Sequence, residues 1–300
     1  MSIQVQDLSK QYGVQYALDQ VSFTVEKGQI VGLLGPNGAG KTTTMKIISG
    51  YMSTFGGEAH VNGMDVRSDP IELKKQIGYL PEHNPLYLDM YIREYLTFIA
   101  RIYRLEAVNS KVDHIIERTG LTREQHKKIG SLSKGYRQRV GLAQAMIHDP
   151  SVLILDEPTS GLDPNQLVEI RQLIRDIATE KTIIFSSHIM QEVQALCERV
   201  LILNQGQLVA DERTEVLERV LHKQRKIVVE LTQSFEGNWS IEGIQEVLSL
   251  GHHRYGLVFG KTNIDPRLAI FDFVTRQGHK LLELREEKSS IEDVFQKLTT

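Results

Sequence analysis

Apolar and polar residues alternate at Ile3 and Val5 and again at Val21, Phe23 and Val25, with Glu26, Lys27 and Gly28 supplying a turn. This period of two predicts half-buried antiparallel strands. The pattern then changes: Gln29 to Leu34 is a short apolar run that stops at the glycines of Gly35 to Gly40, and Lys41 to Ser49 is helix-compatible. Strand, loop and helix follow one another there. Ile92, Tyr95, Leu96, Ile99 and Tyr103 recur at helical spacing among Arg93, Glu94 and Arg101, which predicts an amphipathic helix. Val152 to Leu155 and Thr182 to Phe185 are continuously apolar, the mark of strands buried on both faces of a parallel sheet. Asp163 followed by Pro164 predicts a helix start, with Leu167, Ile170, Ile174 and Ile177 as its buried stripe. Val200 to Leu203 and Gln207 to Ala210, separated by Asn204, Gln205 and Gly206, predict a hairpin. The implied core is α/β with a parallel sheet.

Three hundred residues exceed what one compact domain usually needs. A polar, basic stretch at His222 to Lys226 predicts a boundary, giving a first domain over 1–222 and a second over 223–300. The second reads as a small α+β unit: strands at Ile227 to Leu231, Tyr255 to Phe259 and Lys280 to Leu284, a helix over Arg267 to Arg276, and a terminal helix from Ser289. Ser289 with Glu292 forms a capping box for that last helix. No catalytic constellation falls in this second region.

Composition narrows the classes. With 41% hydrophobic and 24% charged residues the chain has none of the bias of disordered or fibrous sequences. A net charge of -3 and the lack of a long Lys/Arg run argue against an electrostatic grip on nucleic acid. The lone Cys197 excludes an internal disulfide and reads as a small core residue in a reducing compartment. Met1 to Lys10 lacks the apolar stretch of a secretory signal, and no window reaches the roughly 18 apolar residues of a membrane helix. A cytoplasmic chain is expected, whose membrane role, if it has one, is borrowed from a partner.

Gly35-Pro36-Asn37-Gly38-Ala39-Gly40-Lys41-Thr42 fits the pattern G-x-x-x-x-G-K-[ST] between a strand and a helix. Glycines let backbone N–H groups wrap phosphates, the lysine neutralises them and the threonine hydroxyl ligates magnesium. A dinucleotide fingerprint is disfavoured, because the glycines fall as G-x-x-G-x-G with a lysine directly after. Val152 to Glu157 ends a buried strand on two carboxylates, Asp156 suited to holding magnesium and Glu157 to polarising the water that attacks a γ-phosphate. Read alone, the acidic pair fits an ordinary exposed strand end equally well. The phosphate loop upstream favours the catalytic reading.

Leu132-Ser133-Lys134-Gly135-Tyr136, just ahead of that carboxylate strand, resembles the signature of ABC ATPases. Ser160-Gly161-Leu162-Asp163 resembles their D-loop, and His188 after Ser186 and Ser187 resembles their switch histidine. The resemblance covers about residues 1–220 and has five motifs in the family's order. It implies a P-loop NTPase of ABC type: a parallel sheet core, an antiparallel β subdomain and a helical subdomain. It also implies ATP and Mg²⁺ as cofactors, with nucleotide contacts at Gly35, Pro36, Asn37, Gly38, Ala39, Gly40, Lys41, Thr42 and Thr43. Tyr12 would stack on adenine and His188 would sense the γ-phosphate. Thr42, Asp156 and Glu82 would serve the metal. Ser133, Gly135 and Asp163 would act at a nucleotide shared with a second copy or a paired ATPase subunit, and integral membrane permease subunits would receive the motion.

Two positions depart from the family pattern. Glu82, after the strand Ile77 to Leu80, stands where a glutamine is usual and cannot donate as an amide does. Lys134 and Tyr136 replace the second glycine and the glutamine of the commonest signature, which bears on how tightly a dimer closes. The loop from Gly78 to His83 and the C-terminal appendage resemble the ATPases of drug- and polysaccharide-type exporters. Pro81 to Met90 and Ser290 to Phe295 resemble gliding-motility-associated subunits in particular. Glu82 to Arg104 is the expected surface for a coupling helix of the membrane partner. The contrasting reading is a soluble ABC ATPase acting on ribosomes or DNA, but such proteins carry two motif sets in one chain or split the motifs around a long coiled coil. Neither pattern occurs here. A GTPase or small-molecule kinase would leave the signature unexplained and lacks an N-K-x-D motif.

Overall fold

The computed structural model describes residues 1–216, 225–235, 237–260 and 265–287. The chain divides into two compact units, Met1–Thr214 and Glu215–Thr300, so the division precedes the boundary expected at 222.

In the first unit, β1 (Ile3–Tyr12) and β2 (Gln15–Val25) pair antiparallel as their alternation predicts. β4 (Gly56–Val61) and β5 (Met64–Asp65), which the hydrophobic pattern does not announce, extend this sheet in the order β2-β1-β4-β5. The second sheet holds β3 (Ile30–Leu34), β6 (Ile77–Leu80), β7 (Val152–Asp156), β8 (Thr182–Ser187), β9 (Arg199–Asn204) and β10 (Gln207–Arg213), in the order β10-β9-β3-β8-β7-β6. All its neighbouring pairs are parallel except the β9–β10 hairpin. Residues of both sheets, among them Val5, Phe23, Leu33, Ile154 and Leu201, share one buried hydrophobic cluster with Met45 of the helix that follows β3. Because β3, β6, β7 and β8 run the same way, the loops at their C-terminal ends open on one edge, where α/β sheets place their ligands.

The helices of this unit are α1 (Lys41–Ile48), α2 (Pro70–Gln76), α3 (Ile92–Ile102), α4 (Val108–Arg118), α5 (Lys134–Met146), α6 (Pro164–Ala178) and α7 (Met190–Leu196); α1, α2, α5 and α7 pack on strands, while α3 and α4 pack on each other and on α5. α3 buries Ile92, Tyr95, Leu96 and Ile99 of the expected stripe, whereas Tyr103 is its C-cap and only half-buried. Asp163 caps α6 by accepting from Gln166 N at 2.9 Å, as the Asp-Pro start predicts. Its buried stripe runs through Ile170, Leu173, Ile174 and Ile177, whereas Leu167, one turn earlier, is only half-buried.

The second unit is an antiparallel sheet of β11 (Arg225–Leu231), β12 (Ile244–Gly251), β13 (Arg254–Phe259) and β14 (Leu281–Glu287), ordered β12-β13-β11-β14. α8 (Pro266–Arg276) covers it with Ile270 and Val274, packed against Ile227, Val229, Leu257 and Phe259. The basic stretch read as a boundary ends inside β11. Arg225 pairs with Glu286 at 2.7 Å and Lys226 with Glu287 at 2.8 Å, and these contacts keep both cations in the sheet. The expected terminal helix with Ser289 and Glu292, and the Ser290 to Phe295 segment, lie outside the described residues.

Burial has a measurable pH consequence at His148. Its ring stacks on Tyr103 at 4.0 Å, Nε2–H donates to Ile77 O at 3.1 Å, and burial pushes its pKa down to about 4. The fold refuses a proton that the unfolded chain accepts from its ordinary value of 6.5 downward. Stability is therefore intact above pH 6.5 and falls as the pH drops toward 4, by on the order of 3 kcal/mol. Denaturant midpoints at pH 7 and pH 5 should differ less in His148→Phe, which keeps the stacking and loses the proton site. An unchanged difference would remove His148 as the cause.

Candidate active site

The loop after β3 builds the site from backbone geometry. Gly40 takes φ +109° at the start of α1, and a β-carbon there would meet Ala17 O at 2.6 Å, so only glycine fits. The turn buries the Lys41 side chain, whose Nζ donates to Gly35 O at 2.7 Å and Pro36 O at 3.2 Å. It also lies 3.7 Å from Glu157 Oε1, across from the end of β7. β8 lies between β3 and β7, and its register aligns Ser187 with Leu34 and Ser186 with Asp156. That pairing brings residues more than a hundred positions apart to the same edge.

Glu157 is only 7% exposed and adopts φ +49°, a strained conformation for a side-chain-bearing residue that turns the chain sharply after β7. Its Oε2 lies 2.8 Å from Nδ1 of His188, which follows β8 and is half exposed. Burial pushes the Glu157 carboxyl above its ordinary range, against the opposing pull of His188 and Lys41. Burial likewise lowers Lys41, partly offset by Glu157 and Asp156. A raised carboxyl is the better proton acceptor. Asp156 is fully buried; its Oδ1 accepts from Ser186 Oγ at 2.6 Å, while Oδ2 has no hydrogen-bond partner among the described residues.

A cleft of about 640 Å³ opens over this edge. It brings together Tyr12, Asn37, Gly38, Ala39, Gly40, Lys41, Thr42, Thr43, Glu82, Glu157 and His188, with Gly35 and Pro36 offering their carbonyls to Lys41. Tyr12 is half exposed; Lys10 Nζ sits 5.2 Å from its ring centroid and its hydroxyl approaches Met52 Sδ at 3.5 Å. Ser133, Gly135 and Asp163 do not line the cleft. Ser133 caps α5, accepting from Tyr136 N, and Gln166 of α6 reaches it at 3.5 Å, while Asp163 caps α6, so the three gather at two neighbouring helix starts.

Comparison with known proteins decides the family. Residues 18–160 match the ABC transporter family. The bacitracin transport ATP-binding protein BcrA of Bacillus licheniformis is 33% identical over 306 residues, covering 99% of this chain and 96% of its own. This chain belongs to the ABC transporter ATP-binding proteins. It is an ATPase of that family, and the ABC cassette fold expected from its motifs is the one observed. The Nod factor export ATP-binding protein I of Rhizobium meliloti is 33% identical over all of this chain and 88% of its own. A dimeric ATP-binding cassette in a post-hydrolysis state, bound to ADP and Pi, superposes with TM-score 0.64 at 25% identity, over 70% of this chain and 98% of that one. The relatives are transport proteins, so the ribosome- or DNA-acting alternative gains no support.

Several residues of this ABC cassette's site were not singled out from the sequence. Gln15 and Ala17 also line the cleft, beside Ser160 of the expected D-loop. Ser186 donates to Asp156 and accepts from Glu157 N at 2.9 Å, holding both carboxylates in place. Two hydroxyls at the end of the buried apolar strand Thr182–Ser187 were the available signal, since buried polar groups require partners.

Proposed function

We propose that this chain is the ATP-hydrolysing subunit of an exporter, acting as one of a pair beneath integral membrane permease subunits on the inner face of the cytoplasmic membrane. The observation that carries this reading is the meeting of Lys41 and Glu157, 3.7 Å apart, at the mouth of the phosphate loop. Backbone N–H groups of the loop and the start of α1 favour phosphate oxygens, and Lys41 supplies the cation. Glu157 accepts the proton of the attacking water, and His188 keeps that carboxylate aimed through its 2.8 Å contact. Thr42 and Asp156, with Glu82 in the cleft, fit a magnesium ion, since Asp156 offers a buried oxygen without a partner among the described residues and all three are hard oxygen donors. When bound, that ion neutralises phosphate charge. Tyr12 offers its ring to adenine, and Ser133, Gly135 and Asp163 face the nucleotide of the second copy.

Export is supported by the bacitracin transport and Nod factor export relatives, which match this chain almost end to end. A gliding-associated subunit of the GldA type is the narrower form of this reading, resting on the resemblance at Pro81 to Met90 and Ser290 to Phe295. Residues 223–300 would form a dimer-stabilising or partner-contacting module. The coupling surface over Glu82 to Arg104 includes one wall of an apolar groove of about 670 Å³, lined by Tyr51, Ile71, Tyr79, Ile102, Tyr103 and His148. Ile102 is 59% exposed, so Ile102→Glu should leave folding and basal ATP hydrolysis intact. Purified from membranes, the unaltered protein should bring down a multi-span partner that Ile102→Glu recovers at a fraction of the yield. Recovery with ribosomes or DNA would overturn the reading.

A further inference from the structure

Glu192 has no role in the motifs above, yet it is a carboxylate on α7 that is only 2% exposed. Burying a carboxylate costs several kcal/mol unless partners compensate it. Its Oε2 accepts two hydrogen bonds, from Thr159 Oγ1 at 2.6 Å and from Ser187 Oγ at 2.7 Å. Both hydroxyls are themselves buried. Thr159 lies two residues after Glu157, in the loop that leaves β7, and Ser187 immediately precedes His188 at the end of β8. A helix cap alone would not explain this pair, because both partners belong to other segments of the chain. Ser187 Oγ also accepts from Ile189 N at 3.0 Å, tying the switch-histidine loop to the start of α7.

We propose that Glu192 is a positioning residue that clamps the loop carrying Glu157 to the loop carrying His188, so that carboxylate and imidazole keep their 2.8 Å contact. The inference rests on the reading of Glu157 as the base. Three features require such a clamp. Glu157 sits at φ +49°, a conformation that persists only when its surroundings hold it. His188 is half exposed, so its own packing does not fix its ring. α7 is seated firmly on β3: a β-carbon at Gly32 would meet Val193 Cγ1 at 2.4 Å, leaving no slack between helix and strand. Glu192, one residue before Val193, therefore refers both loops to the strand that leads into the phosphate loop. Thr159 also opens the segment Ser160 to Asp163, so the clamp ties the region before α6 to the base.

The test is steady-state ATP hydrolysis by the full chain, with nucleotide affinity and thermal midpoint measured beside it. Glu192→Ala should lower kcat about tenfold, the scale of one or two lost hydrogen bonds, with KM and nucleotide Kd unchanged within about twofold. Glu192→Gln should restore most of kcat, because both hydroxyls bond a single oxygen that the amide carbonyl reproduces. In the Glu157→Gln background Glu192→Ala should cause no further loss, since the clamp acts through that carboxylate. A loss of equal size in both backgrounds marks a merely structural role and overturns the proposal, as does unchanged turnover in Glu192→Ala. Normal turnover in Glu157→Gln would instead overturn the base assignment itself. Should Glu192→Ala fail to fold, Thr159→Val carries the test, with kcat falling at least about threefold at an unchanged thermal midpoint.

Discussion

Glu157→Gln should lower ATP hydrolysis at least about a hundredfold while nucleotide binding survives. The amide keeps the volume of the side chain and can still accept a hydrogen bond from His188, but it cannot take a proton from water. Lys41 does not become an orphan when the carboxylate charge goes, because Gly35 O and Pro36 O continue to accept from it. The fold of the phosphate loop should therefore persist, and the loss should appear in kcat with KM little changed. With hydrolysis blocked, ATP should hold two copies together, so size-exclusion chromatography in ATP and magnesium should show a dimer that the unaltered protein shows only transiently. Undiminished phosphate release would remove Glu157 from the mechanism.

Gly78→Ala should be the most damaging single methyl addition in the first unit. On β6 a β-carbon at Gly78 would lie 2.0 Å from Ala145 O and 2.6 Å from Leu153 Cδ2. The leucine can rotate away. The carbonyl cannot, because it belongs to the backbone of α5, so helix or strand must shift. Overpacking of this kind costs about 2–3 kcal/mol, equivalent to a fall in thermal midpoint of roughly 4–7 °C for a unit the size of Met1–Thr214. A shifted α5 would also move Ser133 at its start, so ATP-induced dimer formation should weaken together with stability. An unaltered midpoint in a thermal melt would mean that α5 can seat farther from β6 without penalty.

The parts of this protein that were readable from its sequence are those encoded by neighbours in the chain. Eight consecutive residues specify the phosphate loop, because each of its backbone turns and its lysine is local. The α3 stripe, the α6 cap at Asp163 and the β9–β10 hairpin are local for the same reason. Elements whose pattern is weak escaped: β4 opens on two glycines, and the short β5 has only two residues. Arg225 and Lys226 read as part of a domain boundary because their partners, Glu286 and Glu287, lie some sixty residues away.

Chemistry that depends on pairing between distant segments had to wait for the fold. Asp156 and Glu157 were legible as candidates, but the sequence could not exclude an exposed strand end. Placing β8 between β3 and β7 in parallel register is what buries the pair, sets Lys41 opposite Glu157 and lets Ser186 orient Asp156. The same register lines up Thr159, Ser187 and Glu192 around one oxygen. Residue order specifies backbone turns and apolar periodicity because those interactions act over a few positions. The raised Glu157 carboxyl and the lowered Lys41 amine arise from burial and from charges contributed by other strands, and those exist only once the sheet has closed.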